Sequence, residues 1–185
     1  MAGSFKKDDL RIIKTHKALV NAMLELLGRR NFERITVNDL CGEALISRAT
    51  FYVYFKDKYD LLHYWLSTLK IEFTQLKQDE IDEKLTDFIN NNMKIIKNTV
   101  EFANAEVTQI LHEFMFSVIS ELAKIHSNRE SKTFIITAHF CAAGMVDFLA
   151  EYTKNNLPME MILINNYLRR LVEAMIHWDL NQTDF

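Results

Sequence analysis

With 185 residues, 49% of them apolar, and only four Gly and one Pro, the chain can bury one sizeable core without disulfides or a structural metal, and its composition favours long helices over a strand-and-turn architecture. Cys41 and Cys141 show no paired spacing, no apolar leader or cleavage signal is visible, and charged or amide residues interrupt every candidate span; the expectation is a cytoplasmic protein without a membrane partner. The net charge of −3 hides an asymmetry, since residues 1–58 hold 11 Lys/Arg against 7 Asp/Glu whereas the remainder holds 11 against 18, so a polyanion suits the N-terminal part and not the rest.

Ile12, His16, Leu19, Val20, Met23, Leu26 and Leu27 recur at three- and four-residue intervals, which predicts a first helix from about Asp9 to Leu27, ended by Gly28. Phe32 and Ile35 dock the following link. Thr36 then caps a short second helix, with Asp39 three positions on as the reciprocal partner of a capping box and Val37, Leu40, Cys41 and Ala44 as its inner stripe. Leu45-Ile46 forms the turn, Ser47 caps a short third helix, and Phe51 and Phe55, one turn apart, mark its buried side. Asp57 opens a fourth helix whose stripe of Leu61, Leu62, Trp65, Leu66, Leu69 and Phe73 carries it to about Lys77. Further helices are expected near Asp82–Lys97, Asn104–His126, Lys132–Lys154 and Pro158–Asp179, with Pro158 in a first turn where its missing amide hydrogen costs little. The fold class is therefore all-α: an N-terminal three-helix helix-turn-helix domain (1–56) plus a larger C-terminal helical domain (57–185).

A recognition helix must turn one edge into its fold and present the other to the major groove. With Phe51 and Phe55 as the anchor, Arg48, Ala49, Thr50 and Val53 become candidates for the groove. Arg48 can give bidentate bonds to guanine, and Ala49, Thr50 or Val53 can touch a thymine methyl. Tyr52 and Tyr54 lie nearby, and Thr36 and Lys58 stand at the starts of flanking helices, so these four are expected to hold phosphates and to orient the protein on double-stranded DNA.

These motifs carry a resemblance. From about Leu10 to Trp65 the chain resembles the DNA-binding domain of TetR/AcrR-type transcriptional regulators: a long first helix, Ile-Thr-Val-x-Asp-Leu, a Ser-capped recognition helix, Phe-Tyr-x-Tyr-Phe and Lys-x-x-Leu-Leu. The resemblance implies DNA contacts at Thr36, Arg48, Thr50, Tyr52, Tyr54 and Lys58, and a homodimer that places two recognition helices on a palindromic operator. One position departs from the pattern. The family usually has Gly where this chain has Leu45, so either Leu45 avoids a positive φ or the turn is strained.

The C-terminal part, with Phe140-Cys141-Ala142-Ala143-Gly144-Met145-Val146-Asp147-Phe148 followed by Asn155-Asn156-Leu157-Pro158-Met159, resembles a short-chain TetR subgroup, whose members pair through their last two helices. Ala138, Ala142, Ala143 and Gly144 permit close helix approach, and Ile162, Leu163, Tyr167, Leu168, Leu171, Met175 and Trp178 give the last helix an apolar face; packing within one subunit accounts for any one of them equally well.

Phe102, Phe114, Met115, Phe116, Phe140 and Met145 are either core or the lining of an effector cavity, Met and aromatic side chains being suited to irregular apolar ligands. Trp65 is placed to couple a small-molecule effector to the DNA-binding domain, and His139 to hydrogen-bond that effector. His112, His126, His139 and His177 have no metal-ligand spacing, and no Ser-His-Asp order or phosphate-cradling Gly loop is present, so neither catalysis, nor a metal, nor a cofactor is expected. The functional expectation is a dimeric repressor released from its operator by a small molecule. The alternative is a co-regulator of the same fold that works by recruiting a protein partner through its C-terminal helices.

Overall fold

The computed structural model describes residues 3–75, 78–126, 132–155 and 170. Its first helix, α1, runs Gly3–Leu27, two turns longer at its start than the apolar periodicity implies. Periodicity registers only turns that bury a face, and Leu10 and Ile13 are already exposed. Deeper in the helix, Leu19, Met23 and Leu27 form the inner stripe and are fully buried. A 3-10 turn, Phe32–Arg34, follows and tucks Phe32 into the core beside Ile35. Next come α2 (Val37–Glu43), α3 (Arg48–Tyr54) and α4 (Lys58–Thr74). At the head of α4, Asp57 accepts from the amides of Tyr59 and Asp60, both at 2.9 Å, which satisfies two of the helix's orphan donors.

Beyond these lie α5 (Gln78–Val100), α6 (Ala105–His126) and α7 (Lys132–Asn155). Every described element is helical. The expected helix Pro158–Asp179, with the apolar face assigned to it, falls outside the described residues. Helix α5 is kinked at Asn92, where φ is −117° and ψ 15°. There the Asn92 side-chain amide donates to the Phe88 carbonyl at 2.8 Å, competing locally with the backbone ladder.

One core runs across the division drawn at residue 56. It joins Leu19, Met23, Phe32, Leu40, Phe51 and Phe55 to Leu61, Leu62 and Trp65 of α4, and through them to Val100, Val107, Leu111 and Val146. Two polar ties reinforce the joint. Asn98 donates to the Leu27 carbonyl at 2.6 Å, satisfying an end of α1, and Asn104 donates to the Tyr59 hydroxyl at 2.9 Å.

Two expectations about α7 need correction. Ala138 and Ala142, considered for a face between subunits, are fully buried with Ile119 of α6, where their small size lets the two helices approach within one chain. Ala143 and Gly144 are exposed. The second correction concerns bilayer spans: Ile135–Lys154 has a mean hydropathy of 1.2 and meets the length and composition of one. In the fold it is a bundle helix, with Ala138 and Ala142 against α6 and Val146 in the main core.

Candidate nucleic-acid interface

The site begins with a capping box. Thr36 Oγ1 accepts from the Asp39 amide at 3.2 Å, and Asp39 Oδ2 accepts from the Thr36 amide at 2.9 Å and its hydroxyl at 2.7 Å. Arg30 adds an ion pair to the same carboxylate at 2.9 Å. The Thr36 hydroxyl and amide, with help from Arg30, hold the Asp39 carboxyl below its ordinary range. The start of α2 is therefore fixed, and Thr36 itself is exposed.

The turn to α3 follows from how α2 ends. The Ile46 amide donates to the Cys41 carbonyl at 3.0 Å and the Leu45 amide to the Gly42 carbonyl at 3.3 Å, the paired bonds of a Schellman end. Such an end places the residue after the cap in the left-handed region, and Leu45 accordingly has φ 55°. Of the two possibilities left by the missing glycine, the chain takes the strained one. Leu45 points to solvent, 91% exposed, while Ile46 packs against the core and sets the angle at which α3 departs. Gly28, by contrast, ends α1 without a positive φ.

At the head of α3, Ser47 Oγ accepts from the Thr50 amide at 3.1 Å and shares a hydrogen bond with the Thr50 hydroxyl at 2.9 Å. Phe51 and Phe55, 0% and 4% exposed, hold the inner edge. The outer edge carries Arg48, Ala49, Tyr52 and Val53, all exposed, with Thr50 half-buried beside them. Arg48 and Tyr52 are brought together: the guanidinium donates to the Tyr52 hydroxyl at 3.4 Å and lies 5.8 Å from the ring centre. That spacing of four was legible as one helical turn, yet the pairing itself was not foreseen.

Tyr54 and Lys58 are placed differently from the rest. Tyr54 is half-buried, its ring 5.1 Å from that of His16 on α1. Lys58 is turned towards the 3-10 turn. Its side chain is 13% exposed and makes an ion pair with Glu33 at 3.8 Å. The ammonium donates to the Phe32 and Glu33 carbonyls at 3.0 and 3.2 Å, and burial lowers its pKa against the opposing pull of Glu33. The Phe32 carbonyl also accepts from the Ile35 amide at 3.0 Å, so the ammonium at the start of α4 adds a second donor there and ties α4 to the 3-10 turn.

The five residues assigned to an effector cavity have differing surroundings. Trp65 is buried in the main core and Phe114 packs against it, whereas Met145 packs on the smaller cluster around Ile119. Phe102 is exposed, in the turn after α5. His139 is exposed as well, stacked on Phe116 with ring centres 4.0 Å apart, and its carbonyl oxygen lies 3.2 Å from His112 Nε2. Cys41 is buried, and burial pushes its thiol up, as for a small apolar residue.

Residues 19–64 match the family described as bacterial regulatory proteins, tetR family. The uncharacterized HTH-type transcriptional regulator YxbF of Bacillus subtilis (strain 168) is 28% identical over 127 residues, 68% of this chain and 29% of its own length, so the chain spans under a third of that relative. Among solved structures, the dihydroxyacetone kinase operon activator DhaS is similar with a TM-score of 0.61 at 16% identity, covering 88% of this chain and 96% of that one. A TetR transcriptional regulator from Rhodococcus sp. RHA1 gives 0.62 at 12% identity, covering 89% and 97%. One from Streptococcus agalactiae 2603V gives 0.59 at 17% identity, covering 95% and 98%. At such identities the structural likeness is one of fold. The matched residues are those that build the capping box, the Schellman turn and the Phe51–Phe55 anchor, so the N-terminal part of the chain is similar to the DNA-binding region of the tetR family and the chain as a whole shares the fold of these regulators.

Proposed function

We propose that the protein is a sequence-specific, DNA-binding repressor, acting in the cytoplasm as a homodimer on a palindromic operator and released by a small-molecule effector. The observation that carries this reading is the division of α3 into a buried Phe51–Phe55 edge and an exposed edge of Arg48, Ala49, Tyr52 and Val53. Arg48 is suited to guanine, Ala49, Thr50 and Val53 to thymine methyls, and Tyr52, Tyr54 and Thr36 to phosphates. Release works through α4. Its Trp65 side lies in the core shared with α6, and its start adjoins the end of α3, so a ligand that prefers one placement of α4 shifts the spacing of paired recognition helices.

The test is a gel shift on palindromes from the region upstream of the protein's own gene, at physiological salt. Wild type is expected to bind one such duplex at least about a thousandfold more tightly than random DNA, and the Arg48→Ala, Tyr52→Ala double variant to lose most of that ratio. Equal binding of both proteins to both DNAs would remove specific readout.

A second reading rests on Ile136 and Phe140 of α7, 70% and 83% exposed, which favour a protein partner for the C-terminal helices. A stoichiometric partner that co-purifies, without any response to small molecules, would support that co-regulator role.

A further inference from the structure

His16 of α1 sits where three helices meet. Its ring lies 5.1 Å from Tyr54 and 4.9 Å from Phe55, both at the end of α3, and 4.8 Å from Tyr64 of α4. The rings of Tyr54 and Tyr64 stand nearly perpendicular to it, at 81° and 80°. Its Nε2 is covered and has no hydrogen-bond partner. An apolar side chain would fill such a box without leaving a polar atom unpaired, so the imidazole is a cost the fold carries at the junction between its DNA-reading helix and α4.

We propose that His16 is a positioning residue of the recognition helix, and that its protonation loosens α3 from α1 and α4 and so weakens duplex binding in mild acid. This inference rests on the DNA-binding role proposed above. A neutral imidazole leaves one covered atom unpaired. An imidazolium puts a charged N–H in the same place, and edge contacts with aromatic rings return part of that cost as cation–π attraction without supplying an acceptor.

The titratable groups that face His16 are the phenols of Tyr54 from α3 and Tyr64 from α4. Lys17, its neighbour on α1, is exposed, and Asp60 of α4 is exposed and accepts from the Lys56 amide at 3.0 Å. Desolvation accordingly lowers the imidazole below its ordinary 6.5. The sign follows: the closed box is favoured above that ordinary value and loses ground as pH falls from it towards the lowered one.

Binding of the upstream duplex by the full chain is compared at about pH 7.5 and about pH 5.5, at constant ionic strength, for wild type and His16→Phe. The expected result is that wild type loses up to about tenfold more affinity than the variant, because one pH unit moves a linked equilibrium by that factor. Equal losses overturn the inference alone, whereas no duplex binding by wild type at the higher pH overturns the DNA-binding reading together with it. A second measurement needs no variant. In wild type, the His16 imidazole followed by NMR should titrate below the ordinary 6.5, and lower still with the duplex bound, since linkage is reciprocal. Titration of His16 at or above that ordinary value, or unmoved by the duplex, overturns it.

Discussion

The Lys58 ammonium donates to the Phe32 carbonyl across 3.0 Å and lies 4.6 Å from the centre of the Phe32 ring, so the first residue of α4 locks the turn that precedes α2. Lys58→Met keeps most of the stem and removes the donor from two carbonyls. Stability should fall by about 1–3 kcal/mol, measured by urea unfolding. An unchanged midpoint would mean that the ammonium is free for DNA after all.

Leu45 is a leucine where a Schellman end favours glycine. Its left-handed backbone costs about 1–2 kcal/mol, against roughly 0.5–1 kcal/mol of extra chain entropy lost by a glycine. Leu45→Gly should therefore raise stability by up to about 1 kcal/mol, with an unchanged denaturant slope. Its side chain is solvent-facing, so no packing is lost in exchange.

Asp39 links pH to the second helix. Its carboxyl is held below the ordinary 3.8, first by the Thr36 hydroxyl, so the stability it contributes is present above that value and lost as pH falls through the lower, folded one. Asp39→Asn should flatten the acid limb of a stability–pH profile. Thr36→Val should cost about 1 kcal/mol at neutral pH by removing the cap.

The two edges of α3 should respond oppositely to truncation. Phe51→Ala empties a fully buried site and is expected to cost about 3–5 kcal/mol. Val53→Ala, at an exposed site, should stay within about 0.5 kcal/mol by thermal unfolding. A large loss at Val53 would place that residue in an interior and undo the proposed groove-facing edge.

Much of the N-terminal domain was legible because its signals are local. The caps at Thr36 and Ser47 act within three residues, and the Phe51–Phe55 spacing is one turn of the same helix. The kink at Asn92 was not legible, since an asparagine inside a helical pattern announces no break until its side chain captures the carbonyl one turn back. Nor was the start of α1 at Gly3, six residues before the start that the apolar periodicity implies.

What the sequence by itself determined is the set of helices and the inner face of each, because periodicity, caps and breakers operate over a turn or two of chain. Only the tertiary structure decided which polar groups remain for a ligand. Lys58 reads as a free cation until the carbonyls of Phe32 and Glu33 arrive from 26 and 25 residues away, and His16 as one more helical residue until two other helices close around it. Ala142, likewise, serves either of two interfaces until α6 covers it. Helix formation is governed by near neighbours, whereas the fate of a charge or a small side chain depends on partners that only folding brings within reach.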